Sequence, residues 1–170
     1  LMSDHQMKVA CHGLSGALKR IRSGHAEVLQ GEELAIGLEV AVAEALWWTL
    51  WIDERFFVAD KGAYPGKRDS FVGSELFTAL KYVRDRCTHQ SPAVLHHRPS
   101  GWFFPLTFPL TGPSVVWDHP DNMGAPRNPQ PRQFRLVEDL LTGQPVTHAF
   151  WKAKQWYEHE GLAIPVSYTH

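Results

Sequence analysis

The chain has 170 residues, 44% of them hydrophobic and 21% charged, with two cysteines and a formal net charge of -1. That length suits one domain spanning residues 2–170, and the composition is too apolar for disorder. Two cysteines cannot staple a small secreted scaffold, so Cys11 and Cys87 are expected as reduced thiols in a cytoplasmic protein. No basic stretch followed by an apolar one opens the chain, so no secretory leader is expected, and Leu1 before Met2 is left out of the fold reading.

Residues 4–29 place Met7, Cys11, Leu14, Leu18 and Ile21 at helical spacing, with Gly13 and Gly16 weakening the middle; this predicts one helix near 5–28 or a broken pair. The longest apolar run follows at 32–57. Leu34, Leu38, Ala41, Ala45, Trp48 and Ile52 line one helical face, and Ile36, Val40, Ala43, Trp47 and Trp51 fill the opposite side. A helix apolar on both sides should be nearly surrounded by protein, as the centre of a bundle or as a helix that also serves a subunit interface. It is not a membrane span: Glu39, Glu44 and Asp53 leave 45–52 as its longest uncharged stretch, against the roughly 20 residues a span needs. Asp53 and Glu54 read as the solvated end of this helix, whereas Glu44 needs a partner, and Arg84 is a natural one.

Residues 60–73 carry Gly62, Pro65, Gly66 and Gly73 and read as a turn-rich stretch, after which Ser74 stands as an N-cap. Leu76, Leu80, Val83 and Cys87 then share one face of a helix near 74–90. Nine of the twelve prolines fall between 92 and 131, which excludes a long helix there and marks an irregular insertion. Within it, the run 102–108 and Val115-Val116-Trp117 flank Thr111-Gly112-Pro113, the pattern of a short edge hairpin. Helices return at 134–141 and 145–160, the latter with Val146, Ala149, Phe150, Ala153 and Trp156 on one face and a stop at Gly161. The predicted fold is mainly α, a helical bundle with a proline-rich β-hairpin insertion.

The small net charge hides an uneven distribution: residues 1–60 carry five Lys/Arg against nine Asp/Glu, 61–135 carry ten against five, and 136–170 carry two against four. The basic middle block can present positive charge to phosphates or can be a solvated loop surface. It holds Arg84-Asp85-Arg86-Cys87-Thr88-His89. On a helix Asp85 and His89 lie only about 40° apart, so the carboxylate can hold one imidazole nitrogen and leave the other for proton transfer. Arg84 lies about 140° from His89, so one copy converges them poorly. Two copies around a two-fold axis would bring two His89 and two Arg84 side chains to one cleft. Cleaving RNA without a metal needs a base for the 2′-hydroxyl, an acid for the leaving 5′-oxygen, and positive charge at the phosphorane, roles that His and Arg can fill.

Arg84-Asp85-x-x-x-His89, near the end of an amphipathic helix in a small bundle, resembles the signature of the HEPN superfamily. The resemblance covers this helix and, loosely, the long helix at 32–57, and leaves the insertion at about 92–131 unassigned. It implies a homodimeric, metal-independent endoribonuclease of the toxin–antitoxin and antiviral-defence kind. Arg84 and His89 would be catalytic and Asp85 would assist, and an antitoxin or operon-encoded protein is a further expected partner; beside the resemblance, the charges of Lys81 and Arg86 on the same helix are expected to add positive field and contact RNA. No cofactor and no metal are expected. Family toxins paired with nucleotidyltransferase antitoxins carry a tyrosine two positions after the histidine; Ser91 stands there, so that partnership is not carried over.

Three other readings compete. His89 can be a helix-terminal histidine that satisfies the last carbonyls, with Arg84 and Arg86 a cationic helix end. The chain can be a non-catalytic helical module that binds RNA, a nucleotide or a protein, or a structural protein that assembles through the apolar helix. Arg20 and His25 repeat the Arg-x4-His spacing, but Ile21 follows the arginine and Gly24 lies where the helix must continue, so the match is read as chance. His96-His97, Cys11-His12 and Cys87 with His89 lack the spacing of a closed zinc site. The tryptophans, Trp47, Trp48, Trp51, Trp151 and Trp156 among them, read as core rather than as base-stacking platforms.

Overall fold

A computed structural model of the chain describes residues 4–27, 32–89, 95–98, 114–124 and 130–165. Within these, six helices and one two-stranded ribbon follow in the order α1 (Asp4–Glu27), α2 (Glu32–Ala59), α3 (Tyr64–Phe71), α4 (Ser74–His89), β1 (Leu95–Arg98), β2 (Ser114–Trp117), α5 (Pro131–Leu140) and α6 (Val146–His159). The protein is mainly helical. A short 3-10 turn at Pro120–Met123 precedes α5.

α1 is one unbroken helix because Gly13 is a contact, not a break. A Cβ added there would lie 2.3 Å from the Trp48 ring, so only glycine lets the indole of α2 lie against the α1 backbone. Cys11, Leu14, Leu18 and Ile21 are buried as their spacing predicts. Arg20 Nη1 donates to Glu44 Oε1 at 3.3 Å and gives Glu44 its partner; with Gly13 against Trp48, this runs α1 antiparallel to α2. That partner is Arg20 rather than Arg84.

α2 buries Leu38, Ala41, Ala45 and Ile52 but is not surrounded by the described residues. Ile36 is 60% exposed, Val40 48%, Trp47 47% and Val58 53%. These residues share the face opposite the core, along about 33 Å of helix at 1.5 Å per residue. The tryptophan reading needs the same correction. Trp156 and Trp117 are fully buried, Trp48 and Trp51 are half-buried, and Trp47 and Trp151 are largely exposed.

α3 occupies the stretch read as turns. Proline is tolerated in the first turn of a helix, where its missing N–H has no intrahelical role, and Pro65 stands there. The Ala63 N–H donates to Asp60 Oδ1 at 3.0 Å and caps the entry. Gly73, at φ 79°, takes the left-handed turn that separates α3 from α4. α5 begins three residues earlier than its apolar pattern suggests because Pro131 opens its first turn. α6 buries the five residues predicted for its inner face, and Gly161 at φ 85° ends it.

β2 falls on the predicted Val115-Val116-Trp117 segment, but its antiparallel partner is β1, with Leu95 opposite Trp117 and Arg98 opposite Ser114. The expected partner run 102–108 and the turn at 111–113 lie outside the described residues. The other edge of β2 bridges Pro145 and Thr142. Val115, Trp117 and Met123 therefore join the same continuous core as residues of α1, α2, α4, α5 and α6. Part of the proline-rich segment is core, not an excursion from it.

Candidate functional site

The C-terminal half of α4 carries the motif residues. Tyr82 and Val83 are buried and hold the helix against its neighbours, which turns Lys81 to solvent and leaves Arg84, Asp85 and Arg86 partly exposed. Arg84 donates from Nε at 3.1 Å and from Nη2 at 2.9 Å to the same oxygen, Oδ1 of Asp85. Residues i and i+1 do not ordinarily face one another on a helix, so the arginine bends back along the surface to make this pair. Asp85, expected to orient His89, thus also anchors Arg84. The backbone of His89 closes α4, and its side chain lies outside the described residues.

Arg86 stands over the Tyr82 ring, with Cζ 5.3 Å from the centroid, a cation over an aromatic face one turn back. Its Nε and Nη1, and the Tyr82 hydroxyl, are buried without a hydrogen-bond partner. Burial pushes the Tyr82 hydroxyl above its ordinary pKa; Arg86 opposes that shift and Asp121 adds to it. On the opposite flank of α4, burial and the charge of Glu39 push the Cys87 thiol up to about 12, so it stays protonated and unreactive near neutral pH. Both cysteines are free thiols.

A second polar constellation, inside the core, was not visible in the sequence. Asp53 is 1% exposed rather than solvated. It accepts from Tyr64 Oη at 2.8 Å and from Arg68 Nη1 at 2.9 and 2.8 Å on its two oxygens. Trp156 Nε1 donates to Tyr64 Oη at 2.9 Å, and Tyr157 Oη donates to the Thr49 carbonyl at 2.5 Å. Phe56, Tyr64, Phe71, Phe77, Trp156 and Tyr157 enclose it in ring contacts of 5.5 to 6.2 Å. Burial alone would lower the Arg68 guanidinium, and the hydrogen bonds and charge of Asp53 more than offset it, holding the pKa above its ordinary value. Burial and Asp53 likewise raise the Tyr64 hydroxyl. Each oxygen of Asp53 has a donor, so the network pins α2, α3 and α6 together and leaves no open position for a substrate. The one sequence signal was a carboxylate late in an otherwise apolar helix, which needs a partner.

His119 is also structural. The Asp121 N–H donates to its Nδ1 at 3.2 Å, which puts the ring proton on Nε2, 3.3 Å from Glu138 Oε1. A cleft of about 250 Å³ lies at the other end of α4, lined by Gly73, Leu76, Trp117, Asp139, His148 and Lys152 among others. Leu76 and Arg86 are ten residues apart, about 15 Å along the helix, so this cleft does not include the motif. Among the described residues no group of three His, Cys, Asp or Glu side chains is placed to hold a metal ion, and no helix is long and apolar enough to cross a membrane. No family model, no curated protein and no solved structure matches the chain.

Proposed function

We propose that the chain is a metal-independent endoribonuclease of the HEPN type, working as a cytoplasmic homodimer in antiviral defence or opposite an antitoxin. The observation that carries this reading is the Arg84–Asp85 pair, partly exposed at the end of α4 and five and four residues before His89. In the dimer, His89 of one copy takes the 2′-hydroxyl proton of RNA, and the 2′-oxygen attacks the adjacent phosphorus. The 5′-oxygen leaves with a proton from His89 of the second copy, and the products are a 2′,3′-cyclic phosphate and a 5′-hydroxyl. Arg84 from each copy steadies the phosphorane, and Lys81 and Arg86 extend the positive field along the strand. The exposed apolar residues on the outer face of α2, which Glu54 interrupts, support the dimer, because exposed apolar surface marks an interaction site.

One observation favours a second reading. Two Arg84 donors are already engaged by Asp85, as they would be in a helical module that binds RNA, a nucleotide or a protein without cutting anything. Incubating the protein with RNA in EDTA separates the two. New 2′,3′-cyclic ends that disappear in Arg84→Ala and His89→Ala support the enzyme, and intact RNA retained on the protein supports the module.

A further inference from the structure

Arg86 differs from the other partly buried arginines. Arg55 and Arg68 each leave one buried nitrogen without a partner, and Arg68 places its Nη1 on Asp53. Arg86 leaves both Nε and Nη1, so each of the two bidentate edges of its guanidinium carries an unused donor. The hydroxyl of Tyr82, whose ring lies one helical turn earlier beneath the same guanidinium, is a third buried donor without an acceptor among the described residues. Buried donors are ordinarily satisfied, and a desolvated guanidinium is ordinarily paired. No carboxylate of the described residues forms an ion pair with Arg86. Asp121, whose charge reaches Tyr82, has a largely exposed carboxylate and makes no ion pair with Arg86. Arg86 as a whole remains partly exposed, so the site borders solvent.

We infer that Tyr82 and Arg86 form an oxyanion site that takes a phosphate group, with the guanidinium and the tyrosine hydroxyl donating to its oxygens. Phosphate fits because it offers several acceptor oxygens and the charge that Arg86 lacks opposite it. The ion has two sources, a phosphodiester of RNA or free phosphate. Only the first rests on the ribonuclease reading, in which Arg86 would hold a phosphate beside the one being cleaved.

The test is binding of orthophosphate, followed by thermal shift and calorimetry against chloride at matched ionic strength. Tyr82→Phe removes a hydroxyl that makes no hydrogen bond, so without phosphate it should fold and melt like the wild type. It should bind orthophosphate at least tenfold more weakly. Arg86→Met should do the same, while Lys67→Ala, an exposed cation on α3, should bind as wild type does. Absence of a saturable shift in the wild type, or unchanged affinity in both Tyr82→Phe and Arg86→Met, would overturn the site. An uncleavable 2′-O-methyl RNA octamer distinguishes the sources. Affinity lost in both variants makes RNA the source, and unchanged octamer affinity beside lost orthophosphate binding overturns that assignment. Cleavage in EDTA is scored separately, so the site and the ribonuclease reading can fail independently.

Discussion

Asp53 and Arg68 form a buried ion pair, with Arg68 Nη1 at 2.8 and 2.9 Å from the two carboxylate oxygens. The pair joins the last third of α2 to α3, and Tyr64 carries the connection on to Trp156 of α6.

Removing one member of such a pair strands the other in the core. Asp53→Leu is expected to destabilise the protein by about 3–5 kcal/mol, and Asp53→Leu/Arg68→Met to recover part of that loss, because the double variant leaves no buried charge alone. Urea unfolding of both singles and the double closes the cycle. Strictly additive losses would contradict the pairing.

Gly13 and Gly16 share α1 but should respond oppositely to the same change. At Gly16 nothing lies within 4 Å of an added Cβ, so Gly16→Ala gains helix propensity of about 0.5–1 kcal/mol. At Gly13 the new methyl meets Trp48, and overpacking there should cost about 1–3 kcal/mol. Thermal melts of the two variants give the signs directly.

The outer face of α2 is expected to form the dimer seam together with the exposed face of α4. Ile36→Glu combined with Val40→Glu places charges on a surface already exposed in one copy, so the fold should lose no more than about 0.5 kcal/mol per site. Light scattering should show the variant as a monomer and the wild type as a dimer. A wild type that remains monomeric removes the seam.

Stability should fall as the solution becomes alkaline. The Cys87 thiol is raised from 9.0 to about 12 in the fold, so the unfolded chain releases this proton first. The stabilisation is therefore complete below pH 9 and lost as the pH rises toward 12. Tyr64 and Tyr157, whose hydroxyls are also raised by burial, act in the same direction above pH 10. Urea midpoints measured from pH 8 upward should decline, and Cys87→Ala should flatten the first part of the decline. At pH 8 a disulfide reagent should modify Cys87 far more slowly than a free thiol.

Much of the helical framework can be read from apolar spacing. The stripes of α1, α4 and α6 fall on buried residues, with Met7 and Cys87 partly buried at the edge of the core, because each of these helices has a single inner face. α3 could not be read that way. Gly62, Pro65 and Gly66 are turn residues by composition, and only the Asp60 cap and the position of Pro65 make the segment helical. The apolar outer face of α2 was legible, but not the fact that the described residues leave it exposed. Asp53 was misread because a charge near a helix end is ordinarily solvated, and its partners lie 11 and 15 residues away on a helix the pattern hid. Of the candidate site, the spacing of Arg84, Asp85 and His89 was legible, whereas the bending of Arg84 onto Asp85 depends on rotamers that no spacing encodes.

The central claim is that this chain cuts RNA without a metal through His89 and Arg84. Its most direct measurement is the single-turnover cleavage rate of a labelled RNA in excess EDTA, for the wild type and for Arg84→Ala and His89→Ala variants that elute and melt as the wild type does. Cleavage should leave 2′,3′-cyclic phosphate ends and fall by about 10²–10⁴ in His89→Ala, with a comparable loss in Arg84→Ala. Intact RNA in the wild-type reaction, or cleavage that persists unchanged in His89→Ala, would contradict it.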